Sequence, residues 1–423
     1  MTRSISSLLR HSLARNALAV GLTQLSNFIP LLLVPLLTQR LGLDAFGVTA
    51  VALSLTQVAL IITDFGYGLS ATYKVSSHRD DRHYLNGLIG SILLGKVPLV
   101  LLACALVLLF PLLSATYAGH YPVFLMAIVC VVGQGYQLTW LFMGLERMKA
   151  VTLYMVGTKV AYAIAMILFV HSADDAYLVI LGWGVAQLLA ALLSMLFAFR
   201  IGYRLRVPAL AEVAQEFRQA LPFFVSRVAV STYTSAATTL VGLSGPAQAA
   251  QFYACQQVYK IGSALPVNQV LYPYMTKHRN WRVFGLVTLV STLLLGGLSL
   301  ALGLYADAFI RLAFGPEFGA ARDTFIVFLA AMLVSYLAAA FGYPAFSAIG
   351  RLQGANSSVV YAACLNLTLL GALYACDALS ALNTAISILV TELAVLCLRL
   401  VFLRRDLRAT HDPERASAIP QHS

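Results

Sequence analysis

Residues 85–112 read LNGLIGSILLGKVPLVLLACALVLLFPL, and Lys96 is the one charged residue among them. A bilayer core about 30 Å thick is crossed by a helix of about 20 predominantly apolar residues. Inside hydrocarbon the backbone must satisfy its own hydrogen bonds, so this stretch reads as a membrane helix. The rest of the chain has the same character: 60% of the residues are hydrophobic, 11% are charged, and the mean hydropathy is +0.82. A soluble chain of this size carries roughly a quarter of its residues as Asp, Glu, Lys or Arg. The balance excludes a soluble domain of this length, and it leaves too little charge for large disordered regions.

Working outward along the 423 residues, the same reading predicts twelve spans, at 16–38, 47–70, 85–112, 121–143, 152–171, 177–199, 220–241, 249–275, 283–305, 324–347, 355–376 and 380–403. Arg3, Arg10 and Arg15 precede an apolar run that continues to about Leu37. That run is too long for the core of a cleavable signal peptide, so it is expected to be the first span. The longest connection between spans, at about 201–220, divides the helices six and six. The expected fold is an all-α integral membrane protein of twelve transmembrane helices in two lobes, 1–205 and 206–423, the second ending in a short polar tail. A faint internal repeat agrees: Gly42-Leu43, Ala50 and Gln57 recur 200 positions later as Gly242-Leu243, Ala250 and Gln257.

The net charge of +11 comes from 28 Lys and Arg against 17 Asp and Glu. Its location decides its meaning. With the N-terminus in the cytoplasm, the cytoplasmic segments hold most of the basic residues, among them Arg79, Arg82, Arg147, Arg204, Arg206, Lys277, Arg279, Arg351, Arg399, Arg404 and Arg405. The opposite side holds Arg40, Arg311 and Arg322. This asymmetry follows the positive-inside rule with both termini cytoplasmic, and it makes the charge a property of the bilayer surface rather than of a nucleic-acid-binding face. The six Cys lie in or beside apolar segments without a CxxC or Cys/His cluster, so no metal or cofactor is expected.

Charges inside spans carry the functional reading, because each costs at least about 2.5–3.5 kcal/mol at the bilayer centre and normally faces a bundle interior or water. Lys96, Lys159, Arg227 and Lys260 are the cations, and Asp64 and Glu392 the acids. Arg227 shares a helical face with Ser231, Thr234, Ser235 and Thr238. Lys260 is surrounded at helical spacing by Tyr253, Gln256, Gln257 and Ser263. Thr23 and Asn27 add polar groups in the first span, and Ser54, Gln57 and Asp64 share a face in the second. Lys159 has Thr152 and Tyr162 on its face. Lys96 has only apolar neighbours, which leaves structural pairing as open as a role in binding. For Asp64 and Glu392 the alternatives are neutralising a nearby cation and coupling transport to an ion gradient. Four cations against two anions suit an anionic cargo, phosphate or carboxylate, in a wet lining.

The sequence resembles the O-antigen flippases (Wzx type) of the multidrug/oligosaccharidyl-lipid/polysaccharide exporter superfamily. The likeness is carried by PLLLVPLLTQRLGLDAF at 30–46, DFGYGLSATYK at 64–74, WLFMGLERMK at 140–149, LPFFVSRVAVSTYTS at 221–235, AQFYACQQVYKIGSALPVNQVLYPYM at 250–275 and FGPEF at 314–318. It implies two six-helix lobes around a central cationic cavity that opens alternately to either side. The implied cargo is an oligosaccharide on undecaprenyl diphosphate, moved from the cytoplasmic to the periplasmic leaflet of the bacterial inner membrane. Membrane lipids and the polysaccharide polymerase machinery are the further partners it implies. Arg227 and Lys260 fall in segments matching the lumen, and Asp64 in the DFG segment. Lys96, Lys159 and Glu392 match no motif. The expected cargo-binding set is Arg227, Lys260, Lys159, Lys96, Asn27, Gln57, Gln256 and Gln257, with Asp64 and Glu392 as ion-coupling candidates.

Rival functions each lack a feature they need. A multidrug-type exporter of cations would want acids in the first lobe, where only Asp64 offers itself. A membrane polymerase or ligase would want a catalytic external loop, yet the longest, about Ala306–Asp323, is short and holds no catalytic constellation. A scaffold for the assembly machinery would have no use for buried Lys and Arg.

Overall fold

The computed structural model describes residues 28–263 and 267–411, with side chains described except at 30–31, 225–235, 261–263, 268–270 and 409–411. Among the described residues the regular structure is helical throughout, without a strand. Nine helical segments there are long and apolar enough to cross a membrane. They coincide one for one with nine of the expected spans, from Val34–Asp64 to Ala381–Arg408. Of the other three, 16–38 lies mostly outside the described residues. Of the remaining two, one is built in pieces, Leu210–Ser235 with Ala237–Gly242; the other is described as helix over Pro246–Ser263 and Val267–His278, with 264–266 outside the described residues.

Interruption is a general device here. Gly42 bends Val34–Asp64 with φ 72° and ψ −179°. Phe65 (φ 45°) and Gly66 (φ 77°) then separate that helix from Tyr67–Ser77. Gly66 has two reasons to be glycine: its φ is left-handed, and a Cβ there would sit 2.8 Å from the Ala220 carbonyl oxygen. Phe65 fills the joint, its ring stacked on Phe217 at 4.0 Å and on Phe224 at 4.5 Å. The fourth span is Tyr121–Gly135 followed by Thr139–Gly144, and the tenth is Arg322–Ala340 followed by Tyr343–Ala348. From Arg82 and from Trp281, roughly 200 positions apart, a similar order runs twice, a long helix, a 3₁₀ turn, a broken helix and two unbroken helices, with helix Ala306–Ala313 added before the 3₁₀ turn of the second run and a 3₁₀ turn at Ala173–Asp175 added late in the first. The faint residue repeat is therefore clearer at the level of elements.

The chain divides into two compact units, one closing at Ala250 and one opening at Gln251. Helix Leu210–Ser235, which opens the second expected lobe, packs on Val34–Asp64 and Arg82–Leu113 of the first unit.

Contacts between connections test the order of crossings within each unit. On one side Lys74 pairs with Glu216, Arg79 with Glu146 at 2.6 Å, and the Arg204 amide donates to Asn86 at 2.9 Å. Arg351 lies 3.7 Å from Asp406. On the other side Arg40 donates to the Ile167 carbonyl at 2.8 Å, the Tyr117 hydroxyl to the Gly242 carbonyl at 2.7 Å, and Arg322 pairs with Asp307 at 3.2 Å. Apart from Arg322–Asp307, which lies within one connection, each contact joins connections that alternating crossings place on one face of the membrane. A missed or extra span would have joined opposite faces.

Candidate functional site: charged groups within the spans

Lys96 sits midway along Arg82–Leu113 and is only 4% exposed. Its ammonium donates to the Gly135 carbonyl at 2.7 Å and stands 6.0 Å from the centre of the Tyr67 ring. Asp64 is the carboxylate whose charge acts on it. Gly135 ends Tyr121–Gly135, where the break before Thr139 takes away the amides that would continue the helix. Carbonyls at such an end lack helical partners and carry the negative pole of the helix, so a cation there satisfies both. Lys96, expected among the cargo ligands, is enclosed here, and its ammonium caps the end of a broken helix. The lack of polar neighbours on its own helix has the same cause, because its acceptor comes from another span.

Lys159 is also enclosed, at 8% exposure, among the buried Tyr154, Thr158 and Tyr162 of its own helix. Gln57 faces outward from its helix, and Asp64 is half-buried. Asn27 and the side chain of Arg227 lie outside the described residues; the backbone of Arg227 belongs to helix Leu210–Ser235.

In the second unit Lys260 differs from the other two lysines. Its side chain is exposed although it sits in the interior of the expected eighth span, near the end of Pro246–Ser263. The ammonium is held 5.7 Å from the centre of the Tyr253 ring, two helical turns back on the same face. Cation and aromatic face attract in this geometry. Gln256 and Gln257, expected beside it in an open lining, are instead buried at 4% and 8%. They fall on the packed side of the helix, where Phe252 and Cys255 are also fully buried.

Next to Lys260 in sequence, Tyr259 turns into the unit and donates to Glu392 at 2.6 Å, with Ser335 Oγ 3.4 Å from the same hydroxyl. Seven residues on, Arg399 is 7% exposed. Its Nε donates to Ser358 Oγ at 3.1 Å and its Nη1 to the Ala338 carbonyl. Charge counting had placed Arg399 with the surface residues Arg404 and Arg405; the structure places it in the core, within electrostatic reach of Glu392. The available signal was its spacing: two turns from Glu392, it shares a helical face with an acid that needs a counter-charge. Arg399 does for the tenth span what Lys96 does for the fourth. Ala338 lies in the last turn of Arg322–Ala340, just before the break that precedes Tyr343. Among the described residues no group of three or more His, Cys, Asp or Glu could hold a metal ion.

Residues 13–278 match the family described as polysaccharide biosynthesis protein. The chain belongs to this family. A relative from Escherichia coli (strain K12) named "Putative O-antigen transporter" is 24% identical over 406 residues, which cover 93% of this chain and 97% of the relative. A Shigella dysenteriae protein of the same name is 24% identical over 268 residues, covering 62% of this chain and 67% of its own. Among solved structures, the fold is similar to that of "Lipid II flippase MurJ, inward closed conformation", with a TM-score of 0.67 at 10% identity over 92% of this chain and 87% of the other. This member of the family is thus an all-α, multi-pass membrane protein, and its curated relatives are named as transporters rather than enzymes.

Proposed function

We propose that the protein is a flippase for lipid-linked oligosaccharides, carrying glycan repeat units on undecaprenyl diphosphate from the cytoplasmic to the periplasmic leaflet of the bacterial inner membrane. The products would supply O-antigen or another surface polysaccharide, and the polymerase machinery would receive them. In this reading both termini are cytoplasmic, and two six-helix lobes, 1–205 and 206–423, open a wet interior alternately to either side. The diphosphate is held by Lys260 and Arg227, the sugars occupy polar surroundings, and the polyprenyl chain stays in lipid. Without such an interior the sugars and diphosphate would meet a desolvation barrier of tens of kcal/mol. An inside-negative potential assists, since outward passage of about two negative charges gains roughly 4–5 kcal/mol per 100 mV.

The observation that carries this reading is the contrast among the lysines. Lys96 and Lys159 are enclosed, while the Lys260 side chain is exposed in the interior of a span. Family membership and the transporter names of its relatives support the cargo class. Glu392 remains a coupling candidate, linked by Tyr259 to the helix position beside Lys260, with Arg399 as its counter-charge. Asp64 acts on Lys96, which favours a neutralising role. Complementation of a flippase-null strain tests the assignment. Arg227→Ala and Lys260→Ala are expected to lose surface polysaccharide at normal protein levels, and Arg227→Lys to retain part of it. Undiminished polymer in both alanine variants would defeat it. Transport in vesicles that ignores proton and sodium gradients would remove the coupling role of Glu392.

A further inference from the structure

Where the turn Gly350–Leu352 meets the end of the last helix, the second unit holds a pocket of about 610 Å³ that the cargo reading does not use. Its walls are chemically divided. One end presents Arg351, Arg405 and Asp406; the other presents Tyr361 and Phe402, whose rings meet edge-on at 6.5 Å. Gly350, at φ 73°, makes the left-handed turn that delivers Arg351 to the pocket. Asp406 lies at a loose 3.7 Å from Arg351, and Arg405 is exposed without an ion pair among the described residues, so two guanidinium groups face one carboxylate. Helix Gln353–Ala375 begins at this end with no side-chain cap, and Gln353 and Gly354 line the pocket with it. Its amide end adds to the positive field.

Tyr361 lies two helical turns further along the same helix, in the direction of the membrane interior. Beside the aromatic end the outer surface is apolar and open, with Val360 at 47%, Tyr361 at 58% and Val401 at 60% exposure. A soluble anion would satisfy the arginines and leave the aromatic wall idle. A phosphate that carries a hydrocarbon chain satisfies both ends, with the chain leaving over Tyr361 into the surrounding lipid. Two arginines suit the phosphate, because the guanidinium fork matches its oxygens bidentately.

We propose that this pocket binds a lipid-borne phosphate at the face of the membrane where the last helix ends. Two lipids could bring that chemistry: a resident anionic phospholipid, or a polyprenyl diphosphate awaiting transport. The site stands on its own lining and does not depend on the roles of Lys260 and Arg227.

The test uses the full chain in phosphatidylcholine nanodiscs, with retention of added phosphatidylglycerol read by native mass spectrometry. Arg351→Gln with Arg405→Gln is expected to weaken retention about tenfold or more. Arg404→Gln with Arg408→Gln removes the same charge from exposed positions on the same helix outside the lining, and is expected to leave retention within about twofold. An equal loss in both pairs means a diffuse basic surface and overturns the pocket; so does no loss in either. Tyr361→Ala, at an exposed position and compared at equal folded protein, is the second reading: it should weaken lipid retention without affecting any binding of inorganic phosphate. Inorganic phosphate that displaces the lipid at millimolar concentration would show a free-anion site and overturn the proposal. Undecaprenyl diphosphate distinguishes the sources: competition identifies the pocket as a station for the transported lipid, and its absence identifies a resident-phospholipid site.

Discussion

A lysine placed midway through a bilayer has to find an acceptor, lose its proton or reach water. Lys96 takes the first course, at the Gly135 carbonyl, whereas the Lys260 side chain is exposed, its ammonium near the Tyr253 ring. The two should therefore respond differently to loss of charge. Lys96→Met leaves a buried carbonyl without its donor and is expected to lower stability by about 1–3 kcal/mol, measured as a fall in the unfolding midpoint of the detergent-solubilised protein. Lys260→Gln gives up the ammonium over the Tyr253 ring but keeps a polar side chain at an exposed position. It is expected to leave that midpoint unchanged while lowering flipping in proteoliposomes about tenfold or more, the equivalent of one charged hydrogen bond. Arg399→Met belongs with Lys96, because Ser358 and Ala338 would both lose a donor; a stability loss of at least similar size is expected. Surface polysaccharide that falls in proportion to protein level would mark Lys96 and Arg399 as structural, and a normal protein level with no polymer would contradict that.

At the scale of elements, the joints are where local sequence and packing meet. Gly66→Ala would force a side chain into φ 77° and put its Cβ within 3 Å of the backbone at Ala220 and Phe224. A loss of more than about 2 kcal/mol is expected, visible as reduced accumulation in the membrane and a lower unfolding midpoint. Hydropathy made the spans legible, since nine expected segments coincide with nine helical segments among the described residues. It could not show the breaks at Gly135 or Ala340, because a sum over 20 residues is indifferent to an interruption of two or three. The same blindness extends to which way polar groups face. Helical spacing put Gln256 and Gln257 near Lys260, yet which side of Pro246–Ser263 packs inward depends on Phe252 and Cys255 finding their partners. Lys96 and Arg399 could not be read because their acceptors are backbone carbonyls, identical at every residue, and only the fold decides which of them end without a partner.

For the whole molecule, the arrangement of crossings was the most legible property, because the bias of Lys and Arg accumulates over many connections and survives errors in single ones. The contacts Lys74–Glu216, Arg79–Glu146 and Tyr117–Gly242 respect it. The absolute orientation is open to direct test. In a background with its cysteines replaced, a membrane-impermeant maleimide applied to intact cells is expected to label His120→Cys and Asp377→Cys and to leave Asp80→Cys and Gln353→Cys unlabelled until the cells are permeabilised. The reverse pattern would invert the direction of transport as well as the topology.

The two capped breaks also impose an order on biogenesis. Lys96 lies 39 residues before the carbonyl it serves, so the fourth span meets its cation already in the bilayer as it leaves the translocation machinery. Arg399 lies 61 residues after Ala338, so the tenth span must wait, its carbonyl end unanswered, until the final helix has been synthesised and inserted. A nascent chain released before Arg399 would carry a finished first half and an uncapped joint in the second, the kind of defect that membrane quality control recognises.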